Sequence, residues 1–308
     1  MLMKMMPGEI VEVPSVVEIS AEQMRAGADA ASEAYRAMVE GIEVHHVRDE
    51  AIPGRDGLIA SRVYAPQSPR AVIVYTHGGS WTTGGLETHD LVARRIVRDT
   101  QAIVVAVCYR KWPEHPYPAA FHDAVDALAW ASRLHPQLPL LVGGDSAGGT
   151  LAACVALHAR DTAGPRIDGQ ILIYPAVDDD GEVPSMRSPA PGAMLTREEI
   201  LHLLRRYTNE GDALGSPYAL PDRAESLRGL PPTIMVIPGH DLLRSSEERF
   251  AQRLQDDGVP VTVQLDPELI HAWVEIAEAV PSASRAFDRM TSSINEMIDA
   301  LTPVVATS

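Results

Sequence analysis

A serine hydroxyl attacks a carbonyl only when a base takes its proton and the backbone presents its oxygen. One serine of this chain stands in a setting built for that. Gly144-Asp145-Ser146-Ala147-Gly148 follows the G-x-S-x-G pattern. A short apolar run (Leu138, Leu140, Leu141, Val142) precedes it and the Ala-rich stretch Thr150 to Arg160 follows. The pattern predicts a buried strand, a sharp turn carrying Ser146, and a helix. The flanking glycines fit because a Cβ there would collide with the neighbouring strand and helix. The helix N-terminus would aim its free N–H groups at whatever the serine attacks.

Attack on an acyl carbon creates an oxyanion, which needs N–H donors. His77-Gly78-Gly79-Ser80-Trp81 follows the strand-like run Val72 to Tyr75, and adjacent glycines past a strand end expose backbone N–H groups. Gly78, Gly79 and Ala147 are the expected donors. The base and its orienter should follow the serine in the order acid, then histidine. Asp241 follows the strand-like Thr233 to Ile237 and the turn Pro238-Gly239-His240. His271 follows the strand-like Val261 to Leu265 and a connecting segment, Asp266 to Ile270. Both stand where strands give way to loops, the ligand-binding edge of an open α/β sheet. Ser146, Asp241 and His271 are the expected catalytic residues. Ser80, Trp81, Asp145 and Met194 are the expected substrate contacts. For Ser80 two readings stand open: ordinary backbone with its hydroxyl held by a neighbouring loop, or a hydroxyl turned to the substrate.

These residues need a scaffold, and the chain's rhythm supplies one. From Arg70 onward strand-like and helix-like segments alternate, which predicts a mostly parallel central sheet with helices on both faces, an α/β class. Before it, Ser20 to Val39 reads as a helix opened by the capping box Ser20/Gln23. Glu43 to Arg48 and Leu58 to Tyr64 read as a hairpin joined through Pro-Gly and Asp-Gly turns. The rhythm breaks at Asp178. A loop to Pro191 is expected there, then a helix, Ile200 to Tyr207, opened by the capping box Thr196/Glu199. The sheet pattern resumes at Pro232.

The ordered motifs resemble the hormone-sensitive-lipase-like group of α/β-hydrolases. The match runs from about Ile52 to the end. It includes Ser61-Arg62-Val63-Tyr64-Ala65-Pro66, the HGGSW motif, Gly85-Leu86-Glu87-Thr88-His89-Asp90, Tyr109-Arg110, Pro113-Glu114-His115-Pro116-Tyr117-Pro118, GDSAG, Asp241-Leu242-Leu243-Arg244 and Ile270-His271-Ala272-Trp273. The resemblance implies an α/β-hydrolase fold, serine carboxylesterase chemistry without a cofactor, and a helical cap. Residues 1–45 and about 179–218 are expected to form that cap on a single domain, 1–308. It also implies that Glu87, Asp90, Glu114 and Asp123 brace loops and that His89, His115 and His122 are structural. Departures from the family pattern are Ser80 for a glycine, Lys111-Trp112, Leu242 for a proline, and Ala272-Trp273 for Gly-Phe. They bear on the substrate and leave every catalytic group in place.

Composition narrows the rest. The 308 residues carry a formal net charge of −16, which argues against nucleic acid or an anionic membrane as partner. No apolar segment reaches the ~20 residues of a membrane span. The opening MLMKMMPGEIVEV is too short an apolar run for a signal peptide. Cys108 and Cys154 read as buried small hydrophobes in a reducing, cytoplasmic setting. No metal-ligand spacing or nucleotide loop is present, so neither metal nor cofactor is expected. Asp178-Asp179-Asp180 reads as a solvated loop, His45-His46 as opposite faces of a strand, and His240 as no competitor for the base. The expected partner is a small-molecule ester, and a homodimer is left open. A lactone, carbamate or amide would suit the same triad. A non-catalytic ligand-binding module on this fold is a more distant alternative.

Overall fold

Strands buried on both faces lose their polar alternation and read as continuous apolar runs. The computed structural model, which describes residues 15–190 and 194–301, gathers such runs at the centre of an eight-stranded sheet. The strands are β1 (His46–Gly54), β2 (Gly57–Ala65), β3 (Val72–Thr76), β4 (Ile103–Val107), β5 (Leu140–Asp145), β6 (Gly169–Ile173), β7 (Thr233–His240) and β8 (Val261–Ile270). Their order is β1-β2-β4-β3-β5-β6-β7-β8. β1, β2 and β4 pair antiparallel, and every later pairing is parallel.

Period-two alternation splits the buried residues between two cores. Val72, Val74, Val105, Val142 and Leu172 join one, and Ile73, Tyr75, Val104, Leu141 and Ile171 the other. The first is closed by α3 (Ala119–Ala131), α4 (Ala147–Asp161) and α7 (Arg244–Asp256), through residues such as Leu128, Leu151 and Phe250. The second is closed by α2 (Asp90–Thr100) and α8 (Pro281–Leu301), through Ile96, Phe287 and Ile294. The helices that complete the chain, α1 (Ala21–Met38), α5 (Pro184–Arg187) and α6 (Arg197–Tyr207), lie outside this sandwich order.

Both expected capping boxes form. Ser20 and Thr196 each accept the N3 backbone N–H, while Gln23 and Glu199 reach back to the N-cap N–H. Glu199 also accepts the Ser15 hydroxyl at 2.7 Å and the Val16 N–H at 3.1 Å, joining the start of α1 to the start of α6. Arg25 of α1 reaches the Thr82 and Trp112 carbonyls and pairs with Glu114.

Several local expectations are corrected. β1 begins at His46, not Glu43, and keeps Pro53 and Gly54 inside the ladder, with only Arg55-Asp56 left as the turn. His45 therefore precedes the strand and is not its opposite face. β7 continues through Pro238 and Gly239 to His240, across a bulge, because β8 also extends to Ile270 and supplies a partner. The segment expected as a plain loop, 178–191, contains α5, with Pro184 at its first turn. The acidic run is solvated only in part: Asp178 is buried, accepts the Ser246 hydroxyl at 3.0 Å and pairs with Arg249 at 2.7 Å. Asp180 pairs with Arg249 too, and Asp179 with Arg223. Cys154 is buried as expected, but Cys108 is only half-buried and both thiols are free. The opening residues read for a signal peptide lie outside the described residues. Among the described residues, no helix is long and apolar enough to cross a membrane.

The Thr196 cap gives a direct check. Thr196→Ala leaves the Glu199 N–H without its acceptor and is expected to lower stability by about 1 kcal/mol in urea unfolding. An unchanged midpoint would mean that α6 is held without its cap.

Candidate active site

Strand β5 ends at Asp145 and helix α4 starts at Ala147, so Ser146 alone makes the turn, at φ 53° and ψ −123°. Such torsions carry strain of roughly 1–3 kcal/mol and persist only where the surroundings enforce them. The surroundings here are backbone. A Cβ on Gly148 would run into the Thr76 carbonyl, and one on Gly144 would meet both Thr76 and Gly148. The glycines let α4 press directly on β3. Thr76 Oγ1 then donates to the Gly148 carbonyl at 2.7 Å, and the Ser146 N–H donates to Ile173 at 2.8 Å.

Parallel strands bring Ser146, Asp241 and His271 to one sheet edge, each directly after its strand. His271 Nε2 is 2.9 Å from Ser146 Oγ, and Nδ1 is 2.6 Å from Asp241 Oδ2. A carboxylate only accepts, so Nδ1 carries the proton and the neutral ring offers Nε2 as acceptor to the serine. Asp241 is buried, and its Oδ1 takes the Leu243 N–H at 3.0 Å. The Tyr174 ring packs 4.6 Å from the His271 ring. Burial disfavours charge on His271. The Asp241 carboxylate and its hydrogen bond outweigh burial and raise the imidazole above its ordinary 6.5.

The loop after β3 differs from expectation in three ways. First, the Gly78 N–H points to Asp145 Oδ1 at 3.2 Å, so it is engaged and is not an available oxyanion donor. Second, Asp145 does not line the site cavity. It is buried beneath the loop, where its oxygens also meet Tyr75 Oη at 2.7 Å and His89 Nε2 at 3.3 Å. Third, Ser80 is not in ordinary backbone: Gly79, Ser80 and Trp81 take φ of 113°, 52° and 54°. Ala272, where glycine is usual, is likewise at φ 60°.

Ser80, Trp81 and Met194 do line the cavity that opens on Ser146 and His271. Its wall is apolar, dominated by Leu195, Leu203, Leu204 and Leu243. Trp81 stacks on Tyr207 of α6, with ring centroids 4.0 Å apart. Residues expected only to brace do so: Glu114 pairs with Arg25, Asp123 with Arg110, Asp90 with Arg94 and Glu87 with Arg36. His240 lines the cavity but stands beside Asp241, outside the Ser146–His271–Asp241 chain. Sequence reasoning missed Tyr75, Tyr174, Tyr207 and Glu275. Each matters through a contact with a distant segment. His89 sat in a quoted motif without a partner to name.

A family described as alpha/beta hydrolase fold matches residues 73–275. Esterase LipI of Mycobacterium tuberculosis is 40% identical over 254 residues, 79% of each chain. Carboxylesterase NlhH of the same species is 38% identical over 265 residues, 82% of this chain and 83% of that one. The structure of the esterase from Pyrobaculum calidifontis superposes with a TM-score of 0.84 at 35% identity, covering 91% of this chain and 94% of that one.

The torsion at Ser80 sets a prediction. Glycine removes the left-handed penalty of about 1–2 kcal/mol but frees the unfolded chain by about 0.4–1 kcal/mol. Ser80→Gly should therefore match or exceed the parent in chemical denaturation, by up to about 1 kcal/mol. A clear loss of stability would mean that the hydroxyl makes a contact worth more than the strain.

Proposed function

The chain belongs to the hormone-sensitive-lipase-like α/β-hydrolases and is a carboxylic ester hydrolase; from that premise we propose that it works through an acyl-enzyme on Ser146. The observation that carries the reading is the unbroken hydrogen-bond chain Ser146–His271–Asp241. Its completeness also speaks against a non-catalytic binding module. His271 Nε2 takes the Oγ proton as the Oγ–carbon bond forms. Asp241 holds the ring tautomer and stabilises the imidazolium. With Gly78 committed to Asp145, the N–H groups of Gly79, Ser80 and Ala147 are the proposed donors to the oxyanion. His271 then gives its proton to the leaving alcohol oxygen. Water attacks the acyl-enzyme, passes a proton to His271, and the acid departs as Ser146 regains its hydrogen.

Residues 1–45 and about 179–218 are proposed to act as a cap that shapes substrate choice. The support is that Met194, Leu195, Ile200, Leu203 and Leu204 line the cavity. An apolar wall with the reactive groups at one end suits an ester with an apolar acyl or alcohol part. Two free thiols support a cytoplasmic location. Edge strand β8, with Val263 and Leu265 exposed, supports a homodimer.

Two measurements test the proposal. Ester turnover should fall about 10⁵–10⁶-fold in Ser146→Ala and about 10⁴-fold in Asp241→Asn. Because the neutral imidazole is the base and its pKa is raised, wild-type kcat/KM should climb with pH through a limb above 6.5. A tenth of the activity surviving in Ser146→Ala would sink the assignment. In a second experiment, Leu203→Ala should raise the ratio of kcat/KM for an octanoate over an acetate ester by about 10-fold. An unchanged ratio would count against the cap reading.

A further inference from the structure

Asp145 is the residue before the nucleophile, yet its side chain turns under the oxyanion loop. Oδ1 accepts the Tyr75 hydroxyl at 2.7 Å and the Gly78 N–H at 3.2 Å, and Oδ2 faces His89 Nε2 at 3.3 Å. A Cβ on Gly78 would strike Oδ2, so the fit of loop to carboxylate is close. Glu275 joins from the turn Trp273–Ile276, just beyond His271. One ligand-type atom from each of His89, Asp145 and Glu275 lies within 4.8 Å of the others.

We propose that His89 and Glu275 are positioning residues of the reaction: with Asp145 they form a clamp that holds the oxyanion loop and the His271 loop in register with Ser146. The inference rests on the acyl-enzyme reading above and goes beyond it in naming what keeps the loops in place.

His89 Nδ1 is 2.9 Å from Thr88 Oγ1, whose own proton goes to the Gly85 carbonyl at 3.0 Å. Thr88 can therefore only accept from Nδ1, and Asp145 can only accept from Nε2. Both ring nitrogens donate, so His89 is an imidazolium between two carboxyl groups. Burial opposes that charge, but Asp145, its hydrogen bond and Glu275 outweigh burial and lift His89 to about 9. Asp145 is held below its ordinary value: burial acts against this, and the His89 charge and hydrogen bond prevail. Burial raises Glu275, His89 draws it down and Asp145 raises it further.

The other titratable groups facing the cluster come from separate elements. Tyr75 on β3 and Tyr174 beyond β6 are pushed well above 10, chiefly by burial. His77, at the end of β3, is pushed well below 6.5 by burial and then by the charges of His89 and Lys111. Tyr109, just beyond β4, is also pushed well above 10, by burial and then by Asp145, and His271 is held by Asp241. A divalent cation on the same three residues would have to displace the His89 hydrogen bond to Asp145 Oδ2.

The sign follows from the raised pKa. The clamp is fully formed below His89's ordinary 6.5 and is lost as pH rises through about 9. Deprotonation then leaves Asp145 and Glu275 facing each other without their cation. Ester hydrolysis should therefore show an alkaline limb set by His89, separate from the acid limb set by His271.

The test is kcat and KM for a soluble short-chain alkyl ester, followed by pH-stat from about pH 6 to about pH 10.5. Glu275→Gln removes a negative charge facing His89 and should move the alkaline limb down by about 1 unit, while the acid limb moves less. His89→Gln keeps one donor to Asp145. It should lower kcat by about 10-fold or more with KM within about threefold, and should abolish the limb near 9. Should His89→Gln fail to fold, Glu275→Gln decides alone. A Glu275→Gln profile superimposable on the parent's overturns the clamp, as does a His89→Gln enzyme with parental kcat and limb. No ester turnover by the wild type at any pH would instead overturn the acyl-enzyme reading beneath it.

Discussion

The close approach of helix α4 to strand β3, at Gly148 against Thr76, is the contact on which the site depends. With no Cβ in the way, the helix packs backbone to backbone on the strand, and the chain between β5 and α4 is left one residue in which to turn. That residue is Ser146, and its torsions leave the hydroxyl standing at the strand ends with the helix N-terminus behind it. The strain is tolerated because the elbow is held on several sides: Thr76 on Gly148, Ile173 on the Ser146 N–H, and Thr150 Oγ1 on the Ala176 carbonyl at 2.8 Å. Parallel pairing of β5, β6, β7 and β8 then fixes where Asp241 and His271 must lie.

Around this rigid centre the chain adds two layers of different character. Beneath the loop after β3 the layer is polar and charged, with Asp145, His89 and Tyr75 buried together and Glu275 half-buried beside them. Above the serine it is apolar, with α6 and the segment before it contributing leucines to the cavity wall. Trp81 joins the two: it follows the loop glycines and stacks on Tyr207 of α6. Loop position and cap position are thus mechanically connected, through a ring contact and through Arg25, which reaches the Thr82 and Trp112 carbonyls from α1.

Much of this was legible in the sequence because it is local or ordered. The strand-turn-helix around Ser146, the alternation of strands and helices, and both capping boxes follow from short patterns. The relation of Ser146 to Asp241 and His271 follows from chain order. What escaped was set by tertiary partners. Strands β7 and β8 lengthen one another past Pro238 and Gly239, which locally read as a turn. Asp178 looked solvated until Arg249 and Ser246 arrived from α7. Gly78 looked like an oxyanion donor because the motif alone cannot show that Asp145 claims its N–H. For Ser80 two readings stood open because side-chain type does not reveal φ; the turn imposes a left-handed torsion on the serine.

The central claim is that one side chain, Ser146, carries the acyl group, activated by His271. Mass spectrometry of the protein treated with a fluorophosphonate ester tests it most directly. The account predicts a single phosphonyl adduct on the peptide containing Ser146, appearing in step with loss of ester turnover. It also predicts no adduct in Ser146→Ala and much slower labelling in His271→Ala. Inactivation with the adduct on another residue, or full labelling of Ser146 with ester turnover intact, would contradict it.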